Sequence, residues 1–121
     1  MRLPILGAAA LAAALTACGG GNGGVAESTA DTITKAVIAN DTDTVQHNLD
    51  AALKPQITRA SVGTLSDTMH KLGDYKGLTL LSSDAAKNEF TYRADFATGA
   101  MNVVIRLDPD GKAAAYRAIP T

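Results

Sequence analysis

The sequence has only one cysteine, Cys18, and it has no tryptophan. A chain with a single cysteine cannot form an internal disulfide, so a small domain of this kind must be held together by its core alone. Aromatic residues make up 4% of the chain. Alanine, leucine, valine and isoleucine supply most of the apolar material. We therefore expect one domain of modest size and of ordinary or marginal stability.

The sequence also lacks an excess of charge of either sign. Eleven basic and twelve acidic residues give a net charge of −1, and the basic residues are scattered singly along the chain. A protein that follows a phosphate backbone needs clustered lysine and arginine. The charge pattern therefore argues against a nucleic-acid partner.

Motifs for catalysis and for cofactor or metal binding are missing as well. There is no G-x-S-x-G, no HExxH, and no G-x-G-x-x-G at a strand-to-helix turn. Asp41-x-Asp43 resembles the start of a calcium loop, but Gln46 replaces the glycine and Ala52 replaces the bidentate glutamate that such a loop requires. We predict that Asp41 and Asp43 cap a helix instead. The sequence predicts no catalytic residue, metal or cofactor.

The amino terminus has the composition of an export signal. Arg2 supplies positive charge, an almost wholly apolar segment runs from residue 3 to 15, and small residues close it. A transmembrane helix needs roughly 20 apolar residues. This segment is shorter and is interrupted by Pro4 and Gly7. The pattern therefore favours a cleaved leader over a membrane-spanning helix.

Leu15-Thr16-Ala17-Cys18 resembles the processing box of bacterial lipoproteins. The resemblance implies a thioether-linked diacylglycerol on Cys18, cleavage between Ala17 and Cys18, and acylation of the new amino terminus. Residues 1–17 are then a signal peptide. Each buried methylene contributes about 0.8 kcal/mol, so two or three acyl chains hold a protein firmly on a membrane. The alternative is an ordinary secretory signal with Cys18 near the cleavage site.

Residues 18–25 are predicted to be the lipidated cysteine and a flexible tether. The tether sequence GGGNGG spans roughly 15 Å on average and at most about 25 Å, which keeps the domain close to its membrane. The resemblance to lipoproteins implies a cell-envelope location. With Gly19 after the cysteine, it implies the periplasmic face of the outer membrane in a Gram-negative host.

Residues 26–121 form the predicted domain, and its first half has helical periodicity. A first helix near residues 27–39 carries a stripe of Ala30, Ile33 and Val37. A second helix follows the Asp41–Asp43 caps and ends at Pro55, and a third begins after Thr58 and ends at Gly73. The apolar faces of these two helices comprise Val45, Leu49 and Leu53 in the second and Val62, Leu65, Met69 and Leu72 in the third.

After Asp74 the period changes to two, which predicts strands near residues 75–82, 88–97, 101–108 and 113–119. Turns are expected at Thr98-Gly99 and at Asp108-Pro109-Asp110-Gly111. The aromatic residues of the strands are expected to face the helices. The predicted fold class is α+β, with about three N-terminal helices packed on a four-stranded antiparallel meander.

This order of elements resembles small exported domains of the cystatin-like, nuclear-transport-factor-2-like superfamily. The resemblance is carried by Asn40-Asp41, Leu72-Gly73-Asp74-Tyr75, Asp108-Pro109-Asp110-Gly111-Lys112 and Ile119-Pro120. It implies a pocket between sheet and helices, which some relatives use as isomerases or dehydratases through an Asp, His or Tyr. It also implies an accessory role, because related modules occur beside hydrolase domains. With about four strands, this chain departs from the larger curled sheet of those relatives.

Two functions follow as hypotheses. The first is a non-enzymatic accessory or protein-interaction module of the cell envelope, which binds membrane lipid through Cys18 and an unidentified envelope protein. The alternative is a small-molecule-binding domain, or a degenerate isomerase or dehydratase, with His70, Tyr92 and Asp95 in a pocket between sheet and helices. A passive envelope spacer is a third interpretation. The oligomeric state stays open, because an unpaired sheet edge suits a second copy as well as a partner.

Overall fold

The predicted fold class is confirmed. A computed structural model of the chain describes the backbone of residues 8–121 and the side chains of residues 23–121, so the first seven residues of the predicted signal peptide and the side chains of Ala17 and Cys18 lie outside the described part. Helices come first and strands follow. The elements are α1 (Ala8–Ile38), α2 (Thr42–His47), a 3-10 helix (Lys54–Gln56), α3 (Arg59–Lys71), β1 (Tyr75–Asp84), β2 (Glu89–Phe96), β3 (Gly99–Leu107) and β4 (Ala113–Pro120).

The four strands form one antiparallel sheet in the order β1-β2-β3-β4. Because side chains alternate between the two faces of a strand, every second residue of β2 and β3 faces the helices, as the period of two predicts. These inward residues are almost fully buried and make up much of the core. They are Phe90, Tyr92, Ala94 and Phe96 on β2 and Met101, Val103, Ile105 and Leu107 on β3.

Helix α1 packs its apolar stripe against this sheet. The predicted stripe of Ala30, Ile33 and Val37 is buried. Ala26, the first residue of the predicted domain, is also buried, and it is the first buried residue among the side chains that the structure describes. The helix is longer than predicted. We expected it to begin near residue 27, but its backbone is helical from residue 8 onward, through the predicted leader and tether. The domain boundaries themselves stay a prediction. No helix in the described part of the chain is long and apolar enough to cross a membrane.

Helix α2 is shorter than predicted. The sequence pattern extends this helix to Pro55, but α2 ends at His47. The chain next pairs with the start of β4: the Asp50 amide donates to the Ala113 carbonyl (2.9 Å) and the Ala113 amide donates to the Asn48 carbonyl (2.9 Å). These bonds replace the helical ones. Leu49 and Leu53 stay buried outside a helix, so the prediction of core positions is confirmed and the prediction of a continuous helix is wrong.

Helix α3 begins and ends where its local signals predict. The Thr58 hydroxyl oxygen accepts from the Ser61 amide (3.1 Å), and the Ser61 hydroxyl oxygen accepts from the Thr58 amide (2.9 Å), which satisfies two otherwise unpaired donors. Gly73 follows the helix with φ +89°, a left-handed conformation that suits glycine. Val62 and Met69 are buried beneath α3.

The turn between β3 and β4 is fixed by one carboxylate. Asp108 Oδ1 accepts from the amides of Asp110 (2.9 Å) and Lys112 (2.9 Å), and Gly111 has φ +83°. This tight turn lies beside Val25, because a side-chain carbon placed on Gly111 would be 3.5 Å from Val25 Cγ1. The β3–β4 turn therefore lies at the end of the sheet where α1 brings the chain into the domain.

Candidate functional site

His70, the first predicted pocket residue, fastens one helix to another. It is exposed on α3, and its Nε2 is 2.8 Å from the backbone carbonyl oxygen of Ile38, the last residue of α1. Carbonyls at a helix C-terminus have no donor within the helix. The Ser66 hydroxyl donates to the same oxygen at 3.2 Å. The imidazole of His70 therefore serves a structural contact between α3 and α1.

Tyr92, the second predicted pocket residue, is part of the core beneath α1. Its side chain is only 1% exposed, and its hydroxyl donates to the carbonyl oxygen of Gly23 at 3.3 Å. Burial, together with the negative charge of Glu27, raises the pKa of Tyr92 to about 12. The Tyr92 hydroxyl thus stays protonated near neutral pH and cannot serve as a base there.

Asp95, the third predicted pocket residue, lies on the opposite face of the sheet from Tyr92. The two residues are three positions apart on β2, and such residues point to opposite faces. Asp95 Oδ1 accepts from Arg93 Nε at 2.9 Å on the uncovered face. The structure therefore does not bring His70, Tyr92 and Asp95 together, and no shared site forms among them.

A cavity lies elsewhere between the helices and the sheet. Its volume is about 100 Å³. The lining has no carboxylate, imidazole or ammonium group, although it includes the hydroxyls of Ser61 and Tyr116. An apolar cavity of about 150 Å³ is large enough to bind benzene and stays dry. This smaller cavity has room for a similarly small, neutral guest, and its apolar walls include Val37, Val45, Leu49, Val62, Leu65 and Ala118.

Tyr116 forms one wall of this cavity, and its polar end is already engaged. The Tyr116 hydroxyl lies 2.7 Å from Thr34 Oγ1, so either group can donate to the other. Thr34 is fully buried on α1. Burial raises the pKa of Tyr116 above its ordinary range. The hydroxyl group therefore contributes to the packing of β4 on α1 rather than to a reactive centre.

The three tyrosines of the chain share one structural role that the sequence does not reveal. Each of them directs its hydroxyl to α1: Tyr75 donates to Asp31 Oδ1 at 2.7 Å, while Tyr92 and Tyr116 make the contacts to α1 described above. They come from β1, β2 and β4. Their burial was predictable from the period of two, but their partners were not, since the crossing of α1 over the sheet decides which α1 group each hydroxyl meets.

The second face of the sheet is not covered by any described element. Arg93, Arg106 and Arg117 project from it and are exposed, and Ile119 is 43% exposed on β4. Arg117 lies opposite Val104 and Arg106 lies opposite Glu89 in the strand register. This face, which we call the open face, combines cationic, anionic, apolar and small polar side chains. Arginine is enriched in protein–protein interfaces relative to the rest of the protein surface.

The β1 edge is a second exposed feature of the sheet. Leu80 and Leu81 are 52% and 48% exposed, and β1 has only one neighbouring strand. Its register shifts twice, between Tyr75 and Gly77 and between Leu80 and Ser82. Register shifts of this kind twist an edge strand and hinder further strand pairing. The exposed leucines therefore offer apolar contact more readily than backbone hydrogen bonds.

Asp41 acts as the predicted cap. Its carboxylate accepts from the Thr44 hydroxyl (2.7 Å) and from the Thr44 amide (3.2 Å), and these two bonds hold the pKa of Asp41 below its ordinary value. Asp43 is exposed, 3.9 Å from Arg59 Nη2. Within the described residues, no group of three or more histidine, cysteine, aspartate or glutamate side chains could hold a metal ion.

Comparison of the chain with protein-family profiles, with curated proteins and with solved structures found no match.

Proposed function

We propose that this protein is a lipid-anchored lipoprotein of the bacterial cell envelope whose α+β domain is a non-enzymatic module for binding another protein. The anchor is supported by Leu15-Thr16-Ala17-Cys18 and by the apolar leader before it. The folded core is compatible with the same division of the chain, since Ala26, eight residues after the cysteine, is the first buried residue among the side chains that the structure describes.

The interaction part of the proposal rests on the open face. A sheet in a small domain ordinarily covers one face with helices, and the other face meets solvent or a partner. Here the open face presents Arg106 and Arg117 beside Val104 and the exposed Ile119. The predicted pocket residues His70, Tyr92 and Asp95, by contrast, lie apart, and each contacts another group of the protein. Binding through the open face is the function that this geometry supports best.

The anchor is tested by Cys18→Ser in a bacterial host that performs lipoprotein processing. We expect wild-type protein in the membrane fraction with the mass of a lipidated chain starting at Cys18, and the variant to remain unlipidated. Thr16→Ser keeps a small hydroxyl residue in the same box and is the matched control. A variant that stays in the membrane with the same mass as wild type would refute the anchor.

The open face is tested by site-specific cross-linking in the native host. A photoreactive residue at position 117 should give one adduct of reproducible mass, and Ile119→Asp should abolish it by placing a charge in the contact. The control places the photoreactive residue at Lys71, which is exposed on α3, away from the sheet. Equal adducts from both positions, or none from position 117, would contradict binding through the open face.

A second candidate function is the binding of a small apolar molecule, and the cavity beside Tyr116 favours it. The resemblance to cystatin-like domains supports a pocket in this layer between helices and sheet. Benzene is a suitable first probe, because it is a small neutral molecule that binds in an apolar cavity of about 150 Å³. We expect it to raise the melting temperature of the wild type but not of Ala118→Leu, which fills the cavity. Ala115→Leu, on the open face, is the control, and no rise for the wild type would eliminate this candidate.

A further inference from the structure

Exposed apolar side chains are unevenly distributed over the domain. Among the described residues, four large hydrophobic side chains are more than two-fifths exposed, namely Val25, Leu80, Leu81 and Ile119. Three of these lie in the half of the domain that contains Gly23, which we call the entry end. The fourth, Ile119, lies opposite Asn102 toward the other end of β4, which we call the far end.

The positions at the entry end follow from contacts of α1 with the sheet. Gly23 lies beside Phe90, and its carbonyl oxygen accepts from Tyr92. Leu80 is directly opposite Tyr92 in the register, and Leu81 is the next residue along β1. Val25 lies beside the β3–β4 turn at the same end of the sheet. The exposed leucines and Val25 therefore flank the point where the chain enters the domain.

The length of the chain before Gly23 limits how the domain can lie on a membrane. Four residues lie between Cys18 and Gly23, and the five Cα–Cα steps from one to the other reach at most about 18 Å when fully extended. Helix α1 continues beyond Gly23 for 15 residues to Ile38, which is about 22 Å at 1.5 Å per residue. A lipid on Cys18 therefore keeps the entry end within about 18 Å of the bilayer, whereas the far end can lie about 22 Å farther from it.

We propose that Leu80, Leu81 and Val25 form a membrane-contact surface that lies on the lipid headgroup region beside the anchor. This inference rests on the proposed lipid anchor, which holds the entry end close to lipid. Side chains that are already half exposed bring apolar area to the interface at no cost in core packing. Each contact adds to the anchor, in the same way as the apolar residues of interfacial helices do.

The charges of the entry end select the kind of lipid. The β1–β2 and β3–β4 turns and their flanking residues carry four carboxylates and two lysines, so this surface is net negative. Anionic headgroups attract basic segments and repel acidic ones within a Debye length. The contact is therefore apolar in origin and favours a zwitterionic surface. The residues concerned are Asp84, Glu89, Asp108 and Asp110 against Lys87 and Lys112.

A second copy of the chain suits this surface less well than lipid does. Pairing between two β1 edges needs a continuous run of free backbone groups, but two register shifts divide the regular pairing of β1 into the short runs 77–80 and 82–84. Lys76 also projects from this edge strand, and lysine at an edge opposes further pairing. The exposed leucines are left for an apolar contact that makes no demand on backbone register.

The absence of tryptophan from the sequence gives a direct test. The full chain, purified with its lipid from the producing bacterium, is placed in phosphatidylcholine vesicles whose lipids are brominated near the top of the acyl chains. In the Leu81→Trp variant, the brominated lipids should reduce the tryptophan emission by about twofold, because an interfacial side chain lies about 5–10 Å into the headgroup boundary. Ile119→Trp is the matched control, because Ile119 is 43% exposed at the far end.

Three results would overturn the proposal. The first is equal quenching of both tryptophans, and the second is no quenching of Leu81→Trp. The third is a blue shift that grows with protein concentration in the Cys18→Ser form of Leu81→Trp, which carries no acyl chains, because this shift would indicate a second copy. Exchange of phosphatidylcholine for phosphatidylglycerol at low salt should reduce the quenching, and an increase would contradict a net negative contact surface. Circular dichroism of each variant verifies that it is folded.

Failure of the anchor and failure of the contact are distinguishable. Intact mass of the same samples reports whether Cys18 is lipidated. If it is not, the free thiol of Cys18, the only cysteine in the chain, is coupled to a maleimide lipid in the vesicles and the quenching is repeated. Differential quenching then supports the contact surface while the proposed anchor fails, and its absence refutes the contact independently of the anchor.

Discussion

The Tyr116 hydroxyl and Thr34 Oγ1, 2.7 Å apart, join the last strand of the chain to its first helix. Thr34 has no exposure to solvent, so its hydroxyl depends on a partner within the protein. A buried polar group without a partner costs about 1–3 kcal/mol. The pair therefore favours one position of α1 over the sheet, where apolar packing alone would tolerate several.

Removal of either member of this pair should be costly, and removal of both should cost little more. Tyr116→Phe and Thr34→Val each leave one hydroxyl buried without its partner, and each should lower the free energy of unfolding by about 1–3 kcal/mol. The double variant has neither hydroxyl, so its loss should be close to that of one single variant. Urea unfolding of the four proteins measures this coupling. Strictly additive losses would show that the two hydroxyls act independently.

The buried tyrosines should make the fold sensitive to alkali. An unfolded tyrosine has a pKa near 10, whereas burial and the charge of Glu27 raise the pKa of Tyr92 to about 12. The folded state then keeps a proton that the unfolded state releases, so this stabilisation is complete below about pH 10 and is lost as the pH rises toward 12. The pKa values of Tyr75 and Tyr116 are raised as well, and burial is the largest cause in both.

Urea unfolding at about pH 8 and about pH 11 checks this dependence. Tyr92→Phe should reduce the difference in stability between the two pH values, because it removes one of the groups whose pKa differs between the folded and unfolded states. Tyrosinate absorbance should appear together with unfolding. Its appearance near pH 10 in the folded protein would contradict the assignment.

Replacement by alanine should change the stability in opposite directions at two glycines, Gly63 within α3 and Gly73 just after it. Gly73→Ala places a side chain at φ +89° and 2.9 Å from Ala97 Cβ. The left-handed conformation alone costs about 1–2 kcal/mol. Gly63→Ala lies inside α3, where the new carbon would be 3.9 Å from Asn40 Oδ1, an ordinary contact. It should stabilise by up to about 1 kcal/mol. Thermal unfolding measures both, and a stabilising Gly73→Ala would refute the left-handed cap.

Loss of the Thr58 cap should destabilise the domain more than loss of a neighbouring hydroxyl. Thr58→Ala removes the acceptor for the Ser61 amide and should cost about 1 kcal/mol. Thr64→Ala is the control, because the Thr64 hydroxyl only donates back to the Ala60 carbonyl on the exposed helix surface (3.1 Å). Chemical unfolding compares the two. Equal effects would indicate that general helix propensity, not capping, determines the result.

Local signals predicted the elements whose boundaries are set locally. Helix α3 is bracketed by Thr58 and Gly73, and both act through atoms a few residues away. The end of α2 depends instead on Ala113, a distant residue in the sequence that supplies hydrogen bonds to Asn48 and Asp50. No periodicity within residues 42–55 carries that information. The apolar positions were still predicted correctly, because Leu49 and Leu53 are buried although the backbone at these residues is not helical.

In the candidate site, too, features set by nearby residues were predictable from the sequence, and features set by distant residues were not. The period of two already separates Tyr92 from Asp95, because residues three apart on a strand face opposite ways; the two cannot share a pocket beneath one face. The cavity beside Tyr116 could not be predicted, since its volume depends on how closely three helical segments fit against β4. The partners of the tyrosine hydroxyls depend similarly on the crossing of α1.

The consecutive strand order affects how this domain folds. Each hairpin can form between neighbours in sequence, so the sheet needs little loop closure and should assemble quickly. Helix α1 is made first, yet its contacts include Tyr116 on the last strand. The first helix thus lacks part of its docking surface until the final residues are in place, and a chain truncated before β4 should form hairpins without firmly docking that helix.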